Sequence, residues 1–164
     1  MDVKLSVVKI SNPETKYQVI IGQGNFSIFT TDNLFMTLLT AVPGINCAVA
    51  MNEAVPQLTR VTSNDPTLEQ LAAENALAIG ASHVFVIMME KAFPINVLPH
   101  IKAHPAVCNI YVASANPLEV LVGETALGKA VLGVVDGTAV TKLETAKQKA
   151  ERRALCEELG YKLP

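Results

Sequence analysis

Gly80-Ala81-Ser82-His83-Val84-Phe85-Val86-Ile87-Met88-Met89 sets one histidine between a glycine able to end a helix and six consecutive apolar residues. So short and unbroken an apolar run predicts a strand over residues 84–89, buried on both faces. His83 then stands at the rim of a rigid sheet. A neutral imidazole held there can accept a proton or a phosphoryl group. The position equally suits a histidine that only closes off a strand, and the run leaves both readings open.

On the N-terminal side, Asp65-Pro66 joins a helix N-cap to a proline at the first helical position, and Leu68, Leu71, Ala72 and Ile79 form an apolar stripe up to Gly80. Asn75 lies on that stripe and must find hydrogen-bond partners, as a tether to a loop or as a ligand contact. Further upstream, Leu5 and Val7 alternate with Lys4 and Ser6. A second apolar run, residues 17–21, follows Ser11-Asn12-Pro13, which predicts an opening antiparallel hairpin. Thr31 or Asp32 can cap a helix that Pro43-Gly44 ends, and residues 45–51 and 58–62 read as strands.

Downstream, Pro99 belongs in a first helical turn, so a helix is expected from Asn96, as its N-cap, to His104. Residues 107–113 read as another buried strand, and residues 118–122 and 129–135 as a hairpin ending at Asp136-Gly137. Thr141-Lys142-Leu143-Glu144 has the capping-box pattern for a final helix over residues 142–159, stopped by Gly160. The order predicts an α/β fold: a single mixed-sheet domain, partly parallel in its middle, with antiparallel hairpins at both ends and helices packed on the sheet. Residues 1–141 make the α/β domain, and residues 142–164 a C-terminal helix packed on it.

Composition bounds function. The chain has 164 residues, half of them apolar, enough for one full core. Thirteen basic against 15 acidic residues, 5% aromatics and no tryptophan offer neither the electrostatic footprint nor the stacking platforms of a nucleic-acid binder. No apolar run reaches the roughly 20 residues of a membrane span, and a cytoplasmic protein is expected. Cys47, Cys108 and Cys156 lack C-x-x-C spacing, and the first two read as buried small apolar residues.

With parallel central strands, Asn52-Glu53, Glu90-Lys91, Phe93 and Ser114-Ala115-Asn116 would converge at one crevice suited to a small molecule, leaving His83 at the opposite edge. Gly22-Gln23-Gly24 and Gly133 to Gly137 match neither the P-loop nor the dinucleotide fingerprint and read as turns. His100 and His104 have metal-compatible spacing without a third ligand. His104 is also well placed electrostatically at a helix C-terminus. Glu124 and Asp136 flank the last hairpin and are either exposed turn carboxylates or water-mediated Mg²⁺ contacts.

Val42-Pro43-Gly44-Ile45, Asn52-Glu53-Ala54, Asn75-Ala76-Leu77-Ala78-Ile79-Gly80-Ala81, His83, Phe93-Pro94-Ile95-Asn96-Val97-Leu98, Ala115-Asn116-Pro117 and Leu132-Gly133-Val134-Val135-Asp136-Gly137 occur in one order along the chain. Together they resemble the adenosine-specific kinase family of archaea and bacteria, over most of the chain up to Gly137. The resemblance implies an α/β fold, binding of adenosine, AMP and ATP, a homo-oligomer, specifically a trimer, and a histidine that carries a phosphoryl group. Among matching positions that histidine is His83. Asn25 departs from the pattern, because many relatives place a histidine after the equivalent of Gly22-Gln23.

On this basis the expected function is an adenosine-specific kinase with a histidine carrier, the alternative being a non-catalytic AMP or adenosine sensor. His83 and Glu53 are the candidate catalytic residues. Phe93 is the expected face for adenine, Asn52, Asn96 and Asn116 the expected hydrogen-bonding groups, and Gly133 a further nucleotide contact. Asp136, with Glu53, is expected to place Mg²⁺.

Overall fold

The expected strand at His83 forms as Val84–Glu90 and lies at the middle of a five-stranded sheet. A computed structural model describes residues 2–26 and 28–162. The strands are β1 (Lys4–Lys9), β2 (Gln18–Gly24), β3 (Asn46–Asn52), β4 (Thr59–Ser63), β5 (Val84–Glu90), β6 (Val107–Ser114), β7 (Leu118–Glu124) and β8 (Lys129–Asp136). The helices are α1 (Thr31–Ala41), α2 (Pro66–Ile79), α3 (Pro94–Ala103) and α4 (Ala146–Glu158). One sheet has the order β4-β3-β5-β2-β6, the other β1-β7-β8.

The α/β class stands, but the parallel middle does not: every strand pair in both sheets is antiparallel. An apolar run reports burial on two faces, not strand direction, and here the central sheet is covered on both sides. Phe85, Ile87 and Met89 point into a core shared with Leu34 and Leu38 of α1 and Val97 and Ile101 of α3. Val84, Val86 and Met88 point the other way, into a core shared with α2 and with Val120 and Val122 of the smaller sheet.

The closing hairpin forms as expected, β7 against β8. The opening strands do not pair with each other: β1 lies on β7, and β2 between β5 and β6. The turn between them carries the chain from one sheet to the other, with Ile10 and Tyr17 buried at its two ends. Asn12 closes that turn by accepting from the Tyr17 N–H (3.0 Å) and donating to its carbonyl (2.8 Å).

Helix α2 has the expected ends. Asp65 accepts from the N–H groups of Thr67 and Leu68, both at 2.9 Å, and Gly80 takes the left-handed conformation with φ 67°. Buried Asn75 is the loop tether, accepting from the Ser11 N–H (2.7 Å) and donating to its carbonyl (2.9 Å). Helix α3 starts two residues before the expected point. Pro94 takes the first position, so Asn96 is no N-cap but reaches back from the third to accept the Phe93 N–H at 2.8 Å. Pro99 lies inside the helix on its exposed side.

The final helix begins at Ala146, because Thr145 and Gln148 form the capping box in place of Thr141 and Glu144. It buries none of its residues, and beyond it the Tyr161 hydroxyl accepts from Asn96 at 3.3 Å. Cys47 is buried, and burial pushes its thiol up to about 12. Cys108 is exposed rather than buried, because β6 is an outer strand. No helix among the described residues is long and apolar enough to cross a membrane.

Candidate functional site

Antiparallel pairing decides which polar strand ends meet. Met51 of β3 lies opposite Phe85 of β5, so the chain leaving β3 at Asn52-Glu53 runs beside the chain entering β5 at Ser82-His83. The His83 N–H donates to the Asn52 carbonyl at 2.8 Å, and the Gly24 N–H donates to the His83 carbonyl at 2.9 Å. Three strand ends are thus stitched through one residue. His83 is held with φ 62°, a left-handed conformation that costs a residue with a Cβ about 1–2 kcal/mol and persists where surrounding bonds impose it.

His83 is half-buried and lines a cavity of 340 Å³ with Phe26, Glu53, Ala54 and Val55. The Phe26 ring stands edge-on to buried Phe85, with centroids 6.1 Å apart. Glu53 accepts from Arg60 Nε at 2.8 Å, and its N–H donates to the Leu58 carbonyl at 2.9 Å, which closes the loop between β3 and β4.

Glu53 also borders two neighbouring cavities. One, of 530 Å³, includes Gly80, Ser82, Glu124 and Lys129. The other, of 430 Å³, includes Thr31, Asp32, Arg60 and Thr62. In the latter, Asp32 accepts from the Thr62 hydroxyl (2.7 Å) and the Thr30 hydroxyl (3.3 Å), and the Thr31 and Thr62 hydroxyls bond each other at 2.8 Å. A histidine, an aromatic ring, an arginine and the carboxylates of Glu53, Asp32 and Glu124 therefore converge at one end of the central sheet.

The expected site residues divide between two ends. His83 and Glu53 share a cavity. Asn52 is beside them, but its side chain is 7% exposed and engaged: Nδ2 donates to the carbonyls of Ala76 (2.8 Å) and Ala81 (3.0 Å), and Oδ1 accepts from Thr59 (2.8 Å).

Phe93 and Asn96 follow the other end of β5, seven residues and roughly 20 Å away. Asn116 and Asp136 lie at that far end too, bonded to each other at 3.0 Å. Gly133 sits within β8 opposite Leu121. Glu53 and Asp136 are therefore not brought together around one ion, and no group of three or more His, Cys, Asp or Glu among the described residues is arranged to hold a metal.

Gly22 and Gly24 belong to β2 and not to a turn. A Cβ on Gly22 would lie 2.4 Å from the Phe85 ring and 2.5 Å from the Asn109 carbonyl oxygen, so this glycine permits close strand packing. His104 Nδ1 accepts from the Ala106 N–H at 3.1 Å while the ring meets Phe29 edge-on, and burial lowers its pKa despite the helix terminus.

Phe26, Asp32 and Arg60 were missed as site residues. The available signal was Arg60, a lone charge in a short predicted strand directly after Asn52-Glu53.

The model of the family described as adenosine specific kinase matches residues 8–162. The chain belongs to the adenosine specific kinase family. The match takes in the final helix, which the sequence resemblance had not reached. Among solved structures, the PH1918 protein from Pyrococcus horikoshii OT3 is 62% identical, with 99% of this chain and 100% of that chain covered and a TM-score of 0.93. No curated protein matches this family member.

Proposed function

We propose that the chain binds adenosine and adenine nucleotides at the Glu53–His83 end of the central sheet and transfers a phosphoryl group there through His83. The observation that carries this reading is the histidine itself. It is held in a left-handed conformation by bonds to two strand ends and lines one cavity with a carboxylate and an aromatic ring. A backbone so anchored sets where the imidazole starts from, which lowers the positioning cost of meeting a phosphoryl group.

In the first step the neutral imidazole lone pair attacks the terminal phosphorus of ATP. A P–N bond forms as the P–O bond to ADP breaks, and ADP leaves with the electron pair. In the second, a hydroxyl of adenosine attacks that phosphorus. A P–O bond forms, the P–N electrons return to the ring, and the hydroxyl proton passes to Glu53, the carboxylate on the same cavity. Phe26 takes the role expected of Phe93, an apolar face for adenine. Asn52 acts in folding. Asp32, on a cavity that Glu53 also lines, would take part in holding Mg²⁺ together with substrate oxygens, where the ion would offset phosphate charge.

We further propose a homo-oligomer, with three subunits expected from the family resemblance. The outer face of the smaller sheet carries exposed Leu5, Val7, Leu121, Leu132 and Val135, an apolar surface for a subunit contact.

Asn25 favours a second reading, an AMP or adenosine sensor without turnover. It follows Gly24, the residue bonded to His83, and stands where the family resemblance leads to the expectation of a histidine. Labelling with γ-phosphate-labelled ATP separates the two. The carrier reading expects acid-labile label on the wild type, none on His83→Ala, and AMP affinity within a few-fold. Label retained on His83→Ala would refute it. An unlabelled wild type that binds AMP supports the sensor, and label appearing only on Asn25→His would place the family's carrier at residue 25.

A further inference from the structure

Arg60 stands on the outer strand β4 opposite Met51, on the sheet face that α1 covers. Its Nε donates to Glu53 Oε2 at 2.8 Å, and this is the hydrogen bond its side chain makes among the described residues. The guanidinium is therefore gripped along one edge, while the N–H groups of its two terminal nitrogens stay available. Arg60 lines the 430 Å³ cavity. Asp32 lines it too, but its carboxylate is engaged by the Thr62 and Thr30 hydroxyls rather than paired with the arginine. Glu53, which grips Arg60, also lines the cavity of His83.

We propose that Arg60 contacts the phosphate of the bound adenine nucleotide, with Glu53 aiming it. The proposal rests on the reading of the Glu53–His83 end as the nucleotide site. An arginine anchored through Nε presents its fork already oriented, and a phosphate offers the oxygens that a planar fork takes two at a time. A surface ion pair that only fastened the loop between β3 and β4 would contribute little to stability and nothing to discrimination between ligands with and without phosphate.

The test is calorimetric titration of ADP and of adenosine, in one magnesium buffer, into the wild type, Arg60→Gln and Arg60→Lys, with a melting curve for each ligand-free protein. Arg60→Gln should lose ADP affinity by about 10–100-fold and keep adenosine affinity within about twofold. Arg60→Lys should fall between, since it keeps the charge and loses the fork. Unchanged ADP affinity in Arg60→Gln, or equal losses for both ligands, would overturn the assignment. Wild-type protein that bound neither ligand would instead sink the underlying reading and the proposal with it.

Discussion

Replacing Asn52 by alanine separates a residue that builds the site from one that touches a ligand. Its buried carboxamide joins the end of β3 to the last turn of α2 through Ala76, to the approach of β5 through Ala81, and to β4 through Thr59. Three hydrogen bonds at about 1 kcal/mol each give roughly 3 kcal/mol. The Ala76 carbonyl keeps the Gly80 N–H at 3.0 Å, whereas the Ala81 carbonyl keeps only a long contact from Val84 at 3.4 Å. That poorly satisfied acceptor adds about 1 kcal/mol, for a total near 3–4 kcal/mol. At about 2–4 °C per kcal/mol for a chain of this size, the melting temperature should fall by roughly 6–16 °C.

Thermal scans and urea unfolding, with nucleotide affinity measured well below the transition, provide the assay. Affinity should stay within a few-fold, because the bond from His83 to Asn52 uses the backbone carbonyl. Asn52→Asp should be at least as damaging near neutral pH, since it turns a negative charge toward two carbonyl oxygens. A melting temperature within about 2 °C of wild type, combined with a large loss of affinity, would refute the reasoning and return Asn52 to the ligand.

Three further outcomes follow from the same structure. Burial holds the His104 pKa below its ordinary value of 6.5, so as pH falls through that value the unfolded chain takes up the proton first and stability drops; urea midpoints between pH 7.5 and 5.5 should show this loss, and His104→Asn should reduce it. AMP should bind in preference to GMP, because a pocket matched to one base edge leaves polar groups unpaired with another, and equal affinities in calorimetry would contradict that. Sedimentation at micromolar concentration should show an oligomer for the wild type and a shift toward monomer for Leu121→Glu on the outer face of the smaller sheet, while a monomeric wild type would remove the subunit proposal.

Local signals in the sequence carried far. Asp65-Pro66 and Gly80 marked both ends of α2, and the runs 118–122 and 129–135 with Asp136-Gly137 after them marked the closing hairpin, since each depends on residues within a few positions. Strand direction was not legible, because Val84–Glu90 reads the same whether its neighbours run parallel or antiparallel. That ambiguity moved the expected site: parallel strands would gather Asn52, Phe93 and Asn116 and leave His83 apart, whereas antiparallel ones bring His83 to Glu53. The pairing of β1 with β7 joins segments more than 100 residues apart, and no local pattern encodes it. Asp32 and Arg60 became neighbours only through the packing of α1 over β4, and Phe26 through its contact with Phe85. The family was legible from several short motifs in order.

The central claim is that the nucleotide lies at the end of the sheet where Glu53 and His83 meet. A crystal structure of the protein with bound AMP tests it most directly. The account predicts density for adenine against Phe26 and for phosphate within reach of His83 and Arg60; AMP seated instead between Phe93, Asn96 and the Asn116–Asp136 pair would contradict it.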